Sequence, residues 1–148
     1  AALTKIIKSK GLCFNELFIA KPHIFVTAEH PLANKESVTM EELADYPYLS
    51  FEQGNHNSFY YSEEIFSTVE RKKNIRVTDR ATLFNLLIGL NGYTVCSGVI
   101  DSGLNGSNII SIPLIKEGDM RIGYISHKKL VLSPLCKKFL NHLNKYIK

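Results

Sequence analysis

Small polar side chains lie at the end of three predicted strands of this 148-residue sequence or just after it, and they are the residues best suited to hold a small ligand. The three turns are Ser50–Phe51 before the loop at Gly54, Thr78–Asp79–Arg80, and Ser97–Gly98. In open α/β sheets, ligands bind at the carboxyl ends of strands, where the free N–H groups of helix N-termini attract anions. Hydroxyl groups and glycines at such positions favour a carboxylate or a similar polar metabolite as the ligand.

A simpler interpretation of the same turns stays open. Thr78 and Asp79 are residue types that cap helices, and Ser97–Gly98 is a common turn pair. The binding interpretation is as good as this capping and turn interpretation only if all three turns lie at the same edge of a sheet.

The sequence carries no pattern typical of catalysis or of a metal centre. It lacks a glycine-rich phosphate loop, an HExxH sequence and a GxSxG turn, and its five histidines are isolated. The cysteines Cys13, Cys96 and Cys136 are far apart and form no CxxC pair, so we expect three reduced thiols. We therefore expect no catalytic residue, no metal ion and no cofactor.

Strands that alternate with helices must position the three turns. Apolar runs predict strands at 14–19, 24–28, 48–51, 74–77, 93–96, 109–114 and 120–126. Apolar periodicity predicts helices at 37–43, 58–69, 80–90 and from 134 onward, with a short helical turn at 99–104. This order is typical of an α/β fold with a mainly parallel sheet.

Residue types at the helix ends mark the helix boundaries. Thr39 and Glu42 have the spacing of a capping box, and Asp79 is suited to cap the helix at 80–90. Asn91–Gly92 would end that helix with one residue in the left-handed conformation. Because this helix is apolar on most sides, we expect it to be deeply buried.

The composition indicates one globular domain. Apolar residues make up 45% of the chain and charged residues 22%, and no apolar run is long enough to cross a membrane. The N-terminal residues do not resemble a signal peptide. The net charge of +4 is mild, and the basic residues are scattered apart from those at 71–73 and at the chain ends, so we expect no nucleic-acid surface.

Four parts of the chain have characteristic residue patterns. They are residues 29–33 (EHPLA) with 38–47 (VTMEELADYP), residues 86–95 (LLIGLNGYTV), residues 109–114 (IISIPL) and Leu132–Ser133–Pro134. In their order and spacing, they resemble a stretch, a helix-to-strand turn, a strand and the start of the last helix in the effector-binding domain of LysR-type transcriptional regulators. The resemblance covers essentially the whole chain.

The resemblance implies an α/β fold similar to type II periplasmic binding proteins, with two Rossmann-like subdomains joined by two crossovers. Residues 1–47 and 115–148 would belong to the first subdomain and residues 48–114 to the second. The first subdomain would be incomplete, because the opening part of the family's domain, its linker helix and its winged helix-turn-helix are missing. Leu90 replaces a family glycine and Ser97 a family proline, so the turn geometry can differ and Ser97 can face the cleft.

The function that the resemblance implies is the sensing of a small metabolite in the cleft between the subdomains. The expected effector-binding residues are Ser50, Phe51, Arg76, Thr78, Asp79, Arg80 and Ser97. Arg76 and Arg80 can equally be solvated charges at helix ends. The effector would be anionic or amino-acid-like, and residues 90–98 (LNGYTVCSG) resemble a family branch that regulates sulfur amino-acid metabolism.

The resemblance also implies partners and a location. We expect a cytoplasmic homodimer or higher homo-oligomer, without membrane contact, that binds DNA only through the missing N-terminal domain. Two other classes stay open. The solute-binding component of a transporter would share the fold but requires a signal peptide, and an enzyme on the same scaffold requires an acid–base pair or a nucleophile.

Overall fold

The computed structural model describes residues 10–52, 72–101, 103, 106–115 and 118–147. The strands are β1 (Leu12–Ala20), β2 (His23–Thr27), β3 (Tyr48–Phe51), β4 (Asn74–Val77), β5 (Thr94–Cys96), β6 (Ile109–Pro113) and β7 (Met120–His127), and the helices are α1 (Arg80–Leu90) and α2 (Pro134–Leu143). Every strand predicted from the sequence is present within two residues of its expected bounds.

Two compact units make up the chain, one of residues 1–20 with 121–148 and one of residues 21–120. The subdomain borders predicted from the sequence lie elsewhere, at 47/48 and 114/115. The segment 21–47 groups with the larger unit because β2 pairs with β5 and β6. The assignment of residues 1–47 with 115–148 to one subdomain of the family, and of residues 48–114 to the other, stays a prediction.

In the larger unit, β2 is the central strand of a three-stranded antiparallel sheet. Phe25 lies opposite Thr94 of β5 on one side and opposite Ser111 of β6 on the other. The prediction of a mainly parallel sheet is wrong for these strands, since β2 runs against both of its neighbours.

A parallel arrangement does occur beside this sheet. β3 pairs with β4 in parallel, so that Phe51 lies opposite Val77. Tyr48 at the start of β3 forms a parallel bridge with Tyr93, just before β5. β3, β4 and the segment that enters β5 therefore run in the same direction.

The two faces of β2 belong to two different hydrophobic clusters, because side chains alternate between the faces of a strand. The first cluster contains Ile24, Val26, Val38, Leu43, Tyr48, Tyr93, Val95, Ile112 and Leu114. The second contains Phe25, Leu49, Val77, Leu83, Leu87 and Ile109. One short strand thus connects both hydrophobic clusters of the unit.

The helix α1 has the ends that the sequence predicts. The side chain of Asp79 caps its first turn, and Asn91 follows it in the left-handed conformation with a φ of 48°. Only Leu83 and Leu87 of the helix are buried, whereas Ile88 is 48% exposed. The expectation of a deeply buried helix is wrong, because α1 packs against the unit through one side only.

Residues 40–45 form consecutive turns, whereas the sequence predicts a helix at 37–43. Both bonds of the capping box are nevertheless present: the Thr39 N–H donates to Glu42 Oε2 at 2.9 Å, and the Glu42 N–H donates to Thr39 Oγ1 at 3.4 Å. Pro47 follows too closely for the helix to continue. The predicted helix at 58–69 and most of the turn at 99–104 lie outside the described residues.

In the smaller unit, β1 pairs with β7. The Lys128 N–H donates to the Gly11 carbonyl at 2.9 Å, and Cys13 contacts Ser126. Going from Gly11 to Cys13 of β1, the contacted residue changes from Lys128 to Ser126. The two strands therefore run in opposite directions, and the pair is antiparallel.

The helix α2 completes the smaller unit and begins at the predicted cap. The Ser133 hydroxyl accepts the Cys136 N–H, and Pro134 occupies the first turn. The helix has no buried residue, and its Phe139 is 62% exposed. Among the described residues, no helix is long and apolar enough to cross a membrane.

Candidate functional site

The carboxyl ends of β3 and β4 lie side by side and bring two of the predicted turns together. Phe51 is in register with Val77, and the Glu52 N–H donates to the Val77 carbonyl at 2.8 Å. Thr78 and Asp79 follow directly and lead into α1. Ser50–Phe51 and Thr78–Asp79–Arg80 therefore share one edge, which we call the strand-end edge.

An aromatic ring and a guanidinium group meet at the strand-end edge. The Arg80 Cζ lies 5.6 Å from the centre of the Phe51 ring, within the range of a cation–π contact. Arg80 is exposed and Phe51 is half-buried. The contact holds a positive charge at the N-terminus of α1, where free N–H groups already favour an anion.

Asp79 caps α1 with both of its carboxylate oxygens. Oδ1 accepts the Thr82 N–H at 2.8 Å, and Oδ2 accepts the Thr82 hydroxyl at 2.7 Å. These bonds, above all the one from the Thr82 N–H, lower the pKa of Asp79 below its ordinary value. The capping role that the sequence left open is therefore present, and a ligand would meet an already hydrogen-bonded carboxylate.

Ser50 is fully buried, and its hydroxyl donates to Asn74 Oδ1 at 3.2 Å. This bond links the middle of β3 to the start of β4. In this arrangement the side chain stabilises the strand pair, and no part of it is exposed to solvent. The sequence reasoning did not identify Asn74, because its partner is 24 residues away along the chain.

The turn Ser97–Gly98 follows β5, which leaves Tyr93 in the same direction as β3 leaves Tyr48. Ser97 is half-buried, and Gly98 has a φ of +80°. A Cβ at Gly98 would lie 2.6 Å from the ring of His23. The sequence reasoning did not identify His23, although Gly98 is the signal that a neighbour lies close to the turn.

Arg76 and Thr78 are the remaining predicted site residues. Arg76 lies within β4 opposite Ser50, and both Arg76 and Thr78 are exposed. The structure thus brings Phe51, Thr78, Asp79 and Arg80 to one edge, while Arg76 lies one residue inside its strand.

Among the described residues, no group of three or more His, Cys, Asp or Glu side chains is close enough to hold a metal ion. Cys13, Cys96 and Cys136 are free thiols. Hydrogen bonds, chiefly from the Ser126 hydroxyl, lower the pKa of Cys13.

Comparisons with known proteins identify one family. The profile of the LysR substrate binding domain matches residues 2–148. No curated protein matches the sequence. The solved structures that resemble the chain include HinK, a LysR family transcriptional regulator from Pseudomonas aeruginosa, with a TM-score of 0.67 and 13% identity.

Two further structures are similar and contain small ligands. The effector binding domain of QuiR in complex with shikimate has a TM-score of 0.65 and 22% identity, and the effector binding domain of BenM with its effector benzoate has a TM-score of 0.63 and 18% identity. The three comparisons cover 99%, 93% and 92% of this chain. The chain spans only 56%, 66% and 64% of the HinK, QuiR and BenM chains.

Proposed function

The chain belongs to the LysR substrate binding domain family, and on this premise we propose that it is the effector-sensing domain of a bacterial transcriptional regulator. The observation that carries the proposal is the family match over residues 2–148. The α/β fold shared with effector-binding domains of LysR-type regulators supports it. The family is regulatory, and we propose no catalytic role.

The proposed effector is a small carboxylate or amino-acid-like anion that binds at the strand-end edge. Arg80 supplies a positive charge, and Phe51 supplies an apolar surface beside it. The ligands of the QuiR and BenM structures, shikimate and benzoate, are small carboxylates built on a six-membered carbon ring. The proposed set is completed by Arg76, Thr78, Asp79 and Ser97. The buried Ser50 belongs to it only by holding β3 against β4 through its bond to Asn74.

Sensing requires that the effector binds one arrangement of the regulator better than another, since only differential affinity shifts a population. We propose that this shift changes how a separate N-terminal domain meets DNA. A homodimer or higher homo-oligomer would transmit the change between copies. Because such a regulator works on the chromosome, the cytoplasm is the proposed location.

A calorimetric titration tests the site. The chain is titrated with small carboxylates, including O-acetylserine, O-acetylhomoserine and cysteine for the proposed sulfur branch, and with shikimate and benzoate. We expect saturable binding of at least one of them, weakened at least about tenfold in Arg80→Gln, because a hydrogen-bonded charge contributes roughly 1.5–3 kcal/mol.

The matched control is Lys72→Gln, which removes an exposed positive charge in the turn before β4 and leaves the strand-end edge unchanged. It should bind the same ligand as tightly as the parent chain. If the two variants lose affinity equally, the anion responds to net charge only and the proposed site is wrong. If only benzoate or shikimate binds, the sulfur branch is excluded.

A further inference from the structure

A pocket lies in the larger unit, at the opposite end of α1 from the strand-end edge. It has a volume of about 170 Å³, and its described lining residues are Thr27, Ala28, Glu29, Ile88, Asn91 and Asn108. Since a helix rises 1.5 Å per residue, the eleven residues of α1 separate the two places by about 16 Å. The proposed effector site does not account for this pocket.

The electrostatics of the pocket favour a cation. Glu29 contributes an exposed carboxylate, and none of the described residues that line the pocket is basic. Asn91 caps the C-terminus of α1, where the carbonyl ends of the peptide dipoles carry partial negative charge. The last turn of α1 has no basic side chain to balance that charge.

The backbone carbonyls around the pocket are held in place. The Asn91 carbonyl accepts a hydrogen bond from His30 Nε2 at 3.2 Å, and the Asn108 carbonyl accepts the Ala28 N–H at 2.8 Å. Both asparagines keep exposed side-chain amides, which have oxygen acceptors. A binding pocket that is already formed loses little conformational entropy when a ligand enters.

A buried hydroxyl at the same place lacks a partner. Thr27 is 5% exposed, and its Oγ1 has no hydrogen-bond partner within the described part of the chain. A buried hydroxyl without a partner is costly, and a donor entering the pocket can remove that cost. Ile88, 48% exposed, provides an apolar wall beside these polar groups.

We propose that this pocket binds a small organic ammonium ion, of the class of a short aliphatic primary amine. The ammonium group donates to the Glu29 carboxylate and to the asparagine side-chain oxygens, and the alkyl chain lies against Ile88. A bare metal ion fits less well, because it would leave most of the 170 Å³ unfilled and has a single carboxylate among the described lining residues.

A nuclear magnetic resonance titration of the whole chain with n-butylammonium chloride tests the proposal. We expect saturable shifts in the backbone amides of residues 27–29, 91 and 108, with a dissociation constant on the order of 1 mM for so small a ligand. Butan-1-ol has the same size and no charge, and we expect it to bind at least about tenfold more weakly.

Three variants identify the groups that bind the ammonium ion. Glu29→Gln should weaken n-butylammonium binding about tenfold, whereas Glu36→Gln, which removes another exposed carboxylate outside the pocket, should leave it unchanged. Asn108→Asp adds a carboxylate at the rim and should strengthen binding severalfold. This last variant gains affinity, so a loss of folding cannot imitate its result.

Several outcomes would overturn the proposal. They are the absence of saturable shifts, equal binding of butan-1-ol, equal losses in Glu29→Gln and Glu36→Gln, and no gain in Asn108→Asp. Shifts confined to residues 51 and 76–80 would show that the amine binds the strand-end edge. Because the proposed effector is tested with carboxylates and Arg80→Gln, either proposal can fail without the other.

Discussion

Gly92 has no Cβ, and this allows β3 to pack closely against the turn that follows α1. A Cβ at this position would lie 2.3 Å from Leu49 Cδ1 and 3.0 Å from the Pro47 carbonyl oxygen. Leu49 is fully buried and has little room to move. We expect Gly92→Ala to lower the free energy of unfolding by about 1–3 kcal/mol, as overpacked cores usually do, measured by urea denaturation.

Gly89 is the matched control, three residues earlier and inside α1. A Cβ there meets nothing within 4 Å, and alanine favours a helix interior over glycine. Gly89→Ala should therefore raise the free energy of unfolding by about 0.5–1 kcal/mol. Equal effects of the two alanines would contradict the steric account of Gly92.

His30 is a buried histidine held in one neutral tautomer. Nδ1 accepts the Leu32 N–H at 3.1 Å, so Nε2 carries the proton and donates to the Asn91 carbonyl. Burial, partly opposed by the Asn91 carbonyl, lowers the pKa of His30 below its ordinary value. A proton on Nδ1 would face the Leu32 N–H, so the folded chain disfavours the charged form.

The pH dependence of stability follows from the lowered pKa of His30. The stabilisation is fully present above the unfolded pKa of about 6.5, and it is lost as the pH falls below that value toward the folded pKa. We expect the free energy of unfolding to decrease between pH 7.5 and pH 5. The decrease should be smaller in His30→Gln and unchanged in His142→Gln, which alters an exposed histidine of α2. A parent slope retained in His30→Gln would exclude His30 as the cause.

Single residues could be predicted from the sequence where their partners are close along the chain. The Asp79 cap bonds Thr82 three residues later, and the Thr39–Glu42 capping box has the same spacing. The partners of Ser50 and Gly98 could not be predicted, because Asn74 and His23 are distant in sequence and meet them only through strand pairing.

At the scale of elements, Gly98 fixes the turn that ends β5. It has a φ of +80°, and the ring of His23 occupies the space that a Cβ would need. Gly106 has a φ of +70° with nothing within 4 Å. A comparison of substitutions at the two glycines therefore distinguishes the cost of a left-handed backbone from the cost of steric overlap.

We expect Gly106→Ala to cost roughly 1–2 kcal/mol of stability, the usual penalty of a left-handed backbone for a residue with a Cβ. Gly98→Ala should cost about 1–3 kcal/mol more, because the His23 ring must also move. Thermal unfolding of both variants measures the difference. A Gly98→Ala chain as stable as Gly106→Ala would mean that the His23 ring shifts freely.

The elements themselves could be predicted better than their pairing. All the strands follow from short apolar runs, and α1 follows from its caps. The antiparallel direction of β2 could not be predicted, since its partners β5 and β6 begin some 70 and 86 residues after His23 and a strand pattern carries no direction. The turns at 40–45 show the reverse case, because the capping box that usually starts a helix is present there and the helix does not form.

At the scale of the whole molecule, the two compact units differ in burial. Every buried hydrophobic residue of the described chain lies between Ile24 and Leu114, in the larger unit. In the smaller unit, no described residue is buried, and large apolar side chains such as Leu135 and Phe139 are mostly exposed. Because apolar burial is the main favourable term in folding, stability is concentrated in the larger unit.

Hydrogen–deuterium exchange checks this difference in stability. We expect the amides of β2, β5 and β6 to exchange slowly, at a rate set by global unfolding, and those of β1, β7 and α2 to exchange fast through local opening. Peptides of the same strands in a denatured sample give the reference rates. Equal protection of β2 and β7 would contradict this difference. It would show that other residues, or a second copy of the chain, cover the smaller unit.

The position of β2 between β5 and β6 also has a consequence for synthesis on the ribosome. The central strand is made before both of its partners, since β5 and β6 begin some 70 and 86 residues after His23. Until β5 has been made, the central strand has two unpaired edges and two apolar faces, and one edge stays unpaired until β6 is complete. Unpaired strand edges and exposed apolar faces favour aggregation. The strand that we expect to be among the most protected in the finished fold is therefore exposed and unpaired for much of the synthesis of this domain.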